Sequence, residues 1–341
     1  MSSYESPITR RSLLLGASLA MTGAVVAGRG IPLAVAQEAT PGAGLAEMGL
    51  PALDVTVTAA AYEGLPESLA AGRYLLTLTV GEDAGELGGS IEFVQPVGVT
   101  AEEYIAALAP PSEGAATPAL APEASPEAGG EAMDGPPTFF FESLFAGGVS
   151  AMPGESAQIV LDLTPGKWIG SSGGDPDQSQ APFIFEVTGE MPADLPEPAS
   201  DATITMGEYV IEVTSGKLAA GSQVVRVENI GAQPHFIVWF SGPDGLTDAD
   251  VEAVLESDMT GTPAAVDFDP NVDLVPVLYT ATQSTGTSVW TPVELEPGTY
   301  VLVCFFPDLA DGMPHAFHGM YKIIEIAAWS RSLSYLPAPA G

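Results

Sequence analysis

The chain has one cysteine and three histidines, so thiolate or imidazole chemistry is confined to a handful of positions. A single cysteine excludes any disulfide within the chain. Basic residues are also scarce. Nine Lys and Arg against 44 Asp and Glu leave a formal net charge of −35. A field of that sign repels nucleic acid and anionic lipid, which argues against a nucleic-acid or membrane-surface role. It suits general solubility, or a protein partner of basic charge. Beyond the N-terminus, no apolar run is long enough to span a bilayer.

The N-terminus reads Thr9-Arg10-Arg11-Ser12-Leu13-Leu14-Leu15, followed by an uncharged apolar run to Ala27. Twin arginines ahead of a short, glycine-diluted run describe an export signal, and Ala34-Val35-Ala36 supplies a small-x-small cleavage site. Residues 1–36 are therefore expected to be a twin-arginine signal peptide, with an uncleaved anchor as the alternative. The mature chain is expected outside the cytoplasmic membrane, extracellular or in the cell envelope, with no integral membrane segment after cleavage.

Residues 37–52, rich in Ala, Gly and Pro, read as a flexible leader. Alternating apolar and polar runs then mark short strands, at Asp54–Thr58, Tyr74–Val80 and Ile91–Val94. Residues 110–137 hold almost nothing but Ala, Pro, Glu and Gly and bury too little to offset ordering, so a disordered loop is expected there. Strands are expected to resume at Phe139-Phe140-Phe141 and to continue at Ala157–Leu163 and Phe183–Val187.

The second half repeats this order of elements. Ala70-Ala-Gly-Arg-Tyr-Leu-Leu-Thr-Leu-Thr aligns with Ala219-Ala-Gly-Ser-Gln-Val-Val-Arg-Val-Glu, and the segment from Gly98 to Leu108 with that from Gly245 to Leu255. Each of the latter sets a threonine at a helix N-cap with acidic residues in the first turn. Leu163-Thr-Pro-Gly-Lys-Trp aligns with Leu295-Glu-Pro-Gly-Thr-Tyr. Two copies are too few for a solenoid. We therefore expect an all-β chain of two tandem β-sandwich domains, each with a short helix insertion, at 53–192 and 200–327. The Pro-rich stretch from Met191 to Ala199 forms the boundary, and 328–341 a tail. The copies differ where chemistry would sit: the alignment puts Ser172 opposite Cys304 and Gly88 opposite His235, and the first copy has no histidine or cysteine.

In the second copy Cys304 is followed after ten residues by His315, and His315 after four by Met320. His235 lies upstream in Asn229-Ile-Gly-Ala-Gln-Pro-His235, a turn entering an apolar strand. One thiolate, two imidazoles and one thioether are the ligand set of a mononuclear blue-copper site. These segments resemble the cupredoxins, the plastocyanin and azurin family of Greek-key β-sandwiches. The Asn-x-Gly-x-x-Pro-His turn is similar to the one bearing that family's first histidine, Glu296-Pro-Gly-Thr-Tyr-Val-Leu-Val-Cys304 to its cysteine strand, and the His315-to-Met320 spacing to its last two ligands. The resemblance covers about residues 200–327, with the first half as a degenerate copy. It implies Cys304, His235 and His315 as equatorial ligands of one type 1 copper and Met320 as the axial ligand. The sequence departs from the family in two places. The Cys304–His315 interval is long, with Pro307, Gly312 and Pro314 to compact it, and Phe236 stands where plastocyanin-like proteins carry a polar residue that pins the cysteine loop.

The expected function is one-electron transfer with a redox partner protein, with His318 at the rim of the site. A copper carrier or store and a metal-free interaction module are the alternatives. Multicopper oxidases and nitrite reductases need a second, histidine-rich centre, so three histidines lead to the expectation that the chain is not an enzyme.

Overall fold

The computed structural model describes residues 43–84, 88–108, 136–172 and 180–327. The expected signal peptide, the expected tail and residues 110–135 of the expected disordered loop lie outside the described residues. Among the described residues no helix is long and apolar enough to cross a membrane.

Seventeen strands form among the described residues. In the first half they are β1 (Ala52–Val57), β2 (Tyr62–Glu63), β3 (Ser68–Ala70), β4 (Gly72–Val80), β5 (Gly89–Gln95), β6 (Leu144–Ala151), β7 (Ser156–Leu163), β8 (Gly166–Ser171) and β9 (Phe183–Thr188). In the second half they are β10 (Ala202–Gly207), β11 (Val210–Gly216), β12 (Gly221–Asn229), β13 (His235–Gly242), β14 (Val275–Gln283), β15 (Ser288–Leu295), β16 (Gly298–Val303) and β17 (Tyr321–Ile326). The two-residue period of burial along β1 shows why these runs form strands: Leu53, Val55 and Val57 face the core and Ala52 and Asp54 face solvent. Both expected helices form, at Ala101–Leu108 and Asp248–Thr260. Each is started by a threonine and an acidic residue three positions on, Thr100 with Glu103 and Thr247 with Asp250.

The fold is a pair of cupredoxin-like β-sandwiches whose sheets are continuous. One sheet runs β11-β10-β12-β15-β7-β4-β1-β2, the other β17-β16-β13-β14-β6-β5-β8-β9-β3. Apart from β3, each order reads the same from either end once repeated elements are equated (β1 with β10, β4 with β12, β7 with β15, β5 with β13). The two halves therefore meet edge to edge about a pseudo-twofold axis. β14 pairs antiparallel with β6 (Thr280 with Val149, Gln283 with Ala146), and β15 with β7 (Trp290 with Val160). Joining the sandwiches this way removes four strand edges that would otherwise offer unpaired backbone groups.

Side chains lock the seam. Trp290, 1% exposed, has the Arg73 guanidinium 4.5 Å from its ring centroid and that of Arg226 at 5.4 Å. Arg73 also makes a two-pronged pair with Asp162 at 2.7 and 2.8 Å and donates to the Pro196 carbonyl. Arg226 pairs with Glu197 at 2.6 Å. The Pro-rich boundary stretch is thus held along the seam by two of the few basic residues.

Two local expectations are corrected. Phe139-Phe140-Phe141 is not a strand but a helical turn, Thr138–Glu142. Pro137 cannot extend a ladder through a missing N–H, and its carbonyl accepts from Phe140 N–H while Phe139's accepts from both Ser143 N–H and Ser143 Oγ–H. The stretch expected to be a flexible leader is ordered from residue 43, where a turn at Ala43–Ala46 buries Leu45 against Leu75, Val160 and Trp290.

On the other sheet, Glu92 of β5 lies beside Gly148 and reaches the second copy, where Oε2 accepts from Thr282 N–H at 3.0 Å. Burial raises its pKa, opposed by hydrogen bonds from Thr282. The unfolded chain releases this proton in the ordinary carboxylate range while the folded protein retains it to higher pH. The associated stability is therefore present below that range and lost as pH rises through the folded value. Glu92→Gln is expected to gain stability relative to the parent as pH rises from the ordinary carboxylate range to neutrality, checked by urea denaturation across that range.

Candidate metal centre

β13 begins at His235, β16 ends at Val303 just before Cys304, and a 3-10 turn at His315–His318 leads into β17. These elements are neighbours in one sheet, so the three donors meet at its end. His235 Nδ1 lies 2.9 Å from His315 Nδ1, and Cys304 Sγ lies 3.8 and 3.6 Å from those two nitrogens. All three side chains are fully buried. Met320 is fully buried beside them, its carbonyl accepting from Cys304 N–H at 3.1 Å and its N–H donating to the His315 carbonyl at 3.0 Å. His318 stays at the rim, 3.3 Å from Asp311.

The long interval after Cys304 is taken up by a closed excursion. Pro307 and Pro314 form an isolated β-bridge, Asp308 N–H donates to the Met313 carbonyl at 2.7 Å, and Gly312 N–H to that of Asp308 at 2.8 Å. Gly312 sits at φ 73°, a conformation glycine adopts without steric cost. His315 N–H then donates to the Phe306 carbonyl at 2.8 Å, so the chain returns beside the point it left.

The turn before His235 is organised by Asn229, which is fully buried. Its Nδ2 donates to the carbonyls of Gln233 and Gln283 at 2.8 and 2.7 Å, and its Oδ1 accepts from Gly231 N–H at 2.9 Å. Gly231 lies against the imidazole: a Cβ there would fall 2.6 Å from His235 Nε2. Gln233 performs the pinning that Phe236 cannot. Its Oε1 accepts from Leu309 N–H and its Nε2 donates to Asp308 Oδ2, both at 2.8 Å. Phe236 instead packs its ring on Tyr279.

Burial raises the Cys304 pKa to about 12, opposed by hydrogen bonds from the backbone of Phe236 and Phe306. Burial lowers His235 to about 3, helped by the neighbouring His315. Burial also lowers His315, to about 4, against the opposite pull of Asp308. Both imidazoles are therefore neutral near pH 7. Their outward Nε2 atoms are buried without hydrogen-bond partners, and each faces a carboxylate: Asp308 Oδ2 at 3.6 Å from His315, Glu208 Oε1 at 3.8 Å from His235. Protons placed on Nε2 would face these carboxylates and leave both Nδ1 lone pairs directed at the thiol. A soft thiolate with two such imidazoles suits copper or zinc, and donors at these separations can share an ion at bond lengths of roughly 2.0–2.3 Å. The residues present fit a bound metal.

Sequence reading missed the groups behind the donors. Glu208 and Tyr209 come from the turn between β10 and β11, remote in sequence. Glu208 Oε1 accepts from the N–H groups of Ala232 and Gln233. Tyr209 has φ 60°, the one positive value outside glycine among the described residues. Its hydroxyl donates to Asp308 Oδ2 at 2.6 Å, and its ring lies 5.6 Å from that of His315 and 4.9 Å from that of His318. Burial tends to raise the Asp308 pKa, but hydrogen bonds from Tyr209, Gln233 and Ala310 outweigh it and hold the carboxyl at about 2. A bulky residue in a costly backbone conformation, placed over His315, is a signal that only the folded structure reveals.

No family model matches the chain, and no curated protein matches it. Solved structures do. A dithionite-reduced auracyanin from the photosynthetic bacterium Roseiflexus castenholzii matches with 24% identity over 37% of this chain and 95% of its own, TM-score 0.25. Auracyanin A from Chloroflexus aurantiacus, titled a "blue" copper protein, matches with 20% identity over 36% and 97%, TM-score 0.24. A copper nitrite reductase from Nitrosomonas europaea matches with 11% identity over 81% and 93%, TM-score 0.19. A multicopper oxidase from Pediococcus acidilactici matches with 11% identity over 82% and 59%, TM-score 0.20.

The matches that cover most of this chain are enzymes, which overturns the expectation from the histidine count that it is not one. That count limits only centres built from this chain's own imidazoles. It says nothing of centres using carboxylates or donors from another chain.

Removing the Asn229 side chain would take away the donor to the Gln233 and Gln283 carbonyls and one of the two acceptors of Gly231 N–H, which also donates to the Met206 carbonyl. Asn229→Ala is expected to cost about 2–4 kcal/mol of stability, read from the shift of the urea midpoint at constant slope. The fold these observations describe is cupredoxin-like, with its three buried donors gathered in the second sandwich.

Proposed function

We propose that the second sandwich binds one copper ion through His235 Nδ1, Cys304 Sγ and His315 Nδ1, with Met320 as the weak axial ligand, and that it carries single electrons to and from a redox partner. The observation that carries this reading is the convergence of one thiol and two neutral imidazoles, all fully buried, at the end of a rigid sheet. Copper in a thiolate-imidazole site supplies reversible one-electron chemistry. The rest is done by the chain. Backbone hydrogen bonds from Phe236 and Phe306 favour the thiolate of Cys304. The sheet and the closed loop hold donor positions fixed, which keeps reorganisation on electron transfer small. Asp308 and Glu208 face the outward nitrogens and favour protons there, which leaves both Nδ1 atoms free for the ion.

The twin-arginine pattern supports action outside the cytoplasmic membrane, after export by that route. The net charge of −35 supports a basic redox partner.

Adding Cu(II) to the purified mature chain is expected to produce an intense thiolate-to-copper band that is lost in Cys304→Ser. Absence of both band and tight binding in the parent would sink the proposal, and a bound copper that cannot be cycled would favour a carrier. Replacing the charge beside His315, as in Asp308→Asn, disfavours the oxidised, more positive state. The midpoint potential is expected to rise on the order of 50 mV, about 1 kcal/mol, in a redox titration.

A further inference from the structure

The first copy offers no thiol or imidazole, yet it touches the ligand loop through an aromatic cluster. Phe140, in the turn Thr138–Glu142, stacks on Phe306 with ring centroids 5.5 Å apart and planes 8° from parallel. Phe141 and Phe145 meet the same ring edge-on at 5.9 and 6.1 Å. Phe306 is the residue on which the loop closes: its backbone bonds Cys304, its carbonyl accepts from His315 N–H, and its ring lies 5.9 Å from the His315 ring.

The cluster is tied down from the second copy. Ser284 Oγ–H donates to the Ser143 carbonyl at 3.1 Å, its Oγ accepts from Phe145 N–H at 2.8 Å, and its N–H donates to the Phe145 carbonyl at 3.0 Å. Phe145 and Phe306 are each 1% exposed and Phe140 is 9% exposed, so the contact is a dry core contact.

We infer that the metal-free first copy is the positioning element of the site, with Phe140 clamping Phe306 and so fixing the Cys304–His315 separation. The packing explains the direction of the effect. A parallel ring on one face and two edges around it crowd the Phe306 ring, so its backbone cannot swing away from Cys304 without opening the cluster. Truncating Phe140 vacates one face of that cage and lets the loop open locally while the sheets stay paired. The site role assigned to the loop rests on the copper reading above; the clamp itself does not.

The test uses the full mature chain, because its two sheets are continuous. Cys304 is the sole thiol and is buried, so in metal-free protein its reaction with an aromatic disulfide reagent reports loop opening. Phe140→Ala is expected to react about tenfold faster than the parent after correction for global unfolding measured in urea. Phe140→Tyr, which keeps the ring, is expected to restore the parent rate. The control is Phe185→Leu, a first-copy core change packed on Phe93 and Phe183 and away from the loop, expected to leave the corrected rate unchanged. If the alanine variant does not fold, Phe140→Leu replaces it.

In copper-loaded protein, Phe140→Ala is expected to shift the thiolate-to-copper band and the midpoint potential, and Phe185→Leu to leave both in place. Reaction of Phe140→Ala no faster than of Phe185→Leu overturns the inference. A parent that binds no copper defeats the proposed function, and the thiol comparison still decides the clamp.

Discussion

The closure of the Cys304–His315 loop on Phe306 is the constraint that the gathering of the two imidazoles and the thiol depends on. Ten residues separate Cys304 from His315, enough chain for the second donor to wander far from the first. The Pro307–Pro314 bridge and the His315 N–H to Phe306 carbonyl bond reduce that interval to the width of a narrow hairpin. Everything else acts on one side of this closure. Met320 bonds both donor residues through its backbone, Gln233 holds the excursion from the His235 side, and Tyr209 holds Asp308 against it. Loop length matters less than where its ends are bonded, because closure entropy grows only with the logarithm of length.

The pseudo-twofold arrangement divides the work between two copies of one fold. At the seam the copies are structurally equivalent, strand β6 facing β14 and β7 facing β15. Away from it they diverge. The second copy buries Cys304 and two imidazoles at one end of its sheet, while the first sends the Phe139–Phe141 turn across the seam. Continuity of both sheets makes the pair one scaffold, which holds contacts across the seam in place.

Much of this was legible in the sequence. Strand runs were readable because one face is buried and side chains alternate, and β4 and β7 fall where the pattern put them. The repeat was legible too: Gly72 and Gly221 open corresponding strands, as do Gly166 and Gly298. The Phe139–Phe141 error arose because three aromatics in a row match strand preference, whereas the local bonding of Pro137, Phe139 and Ser143 decides for a helical turn. Glu208 and Tyr209 carried no signal. Their role follows from a turn brought over the site by sheet order, and nothing in residues 207–210 marks which side chain will face His315. Counting histidines failed for a different reason, as it treats one chain as the sole source of donors.

The donors are arranged at a cost to the metal-free fold. Two imidazole Nε2 atoms are buried without partners, at distances from their carboxylates too long for a good hydrogen bond, and a thiol with a pKa near 12 lies between two neutral rings. Buried polar atoms left unpaired are expensive, and Tyr209 adds backbone strain at φ 60°. A protein selected for stability alone would fill this end of the sandwich with apolar side chains; the first copy, by contrast, has no histidine or cysteine anywhere in it. The flanking devices share one feature: Asn229, Gln233, Ser284 and the Phe140 cluster hold the segments around the thiol and imidazoles rather than hydrogen-bonding those groups. Rigid placement of a buried thiol against two crowded, neutral imidazoles supports the reading of a site built for an occupant. It also explains why the stabilising contacts lie one residue shell away from the groups that would bind.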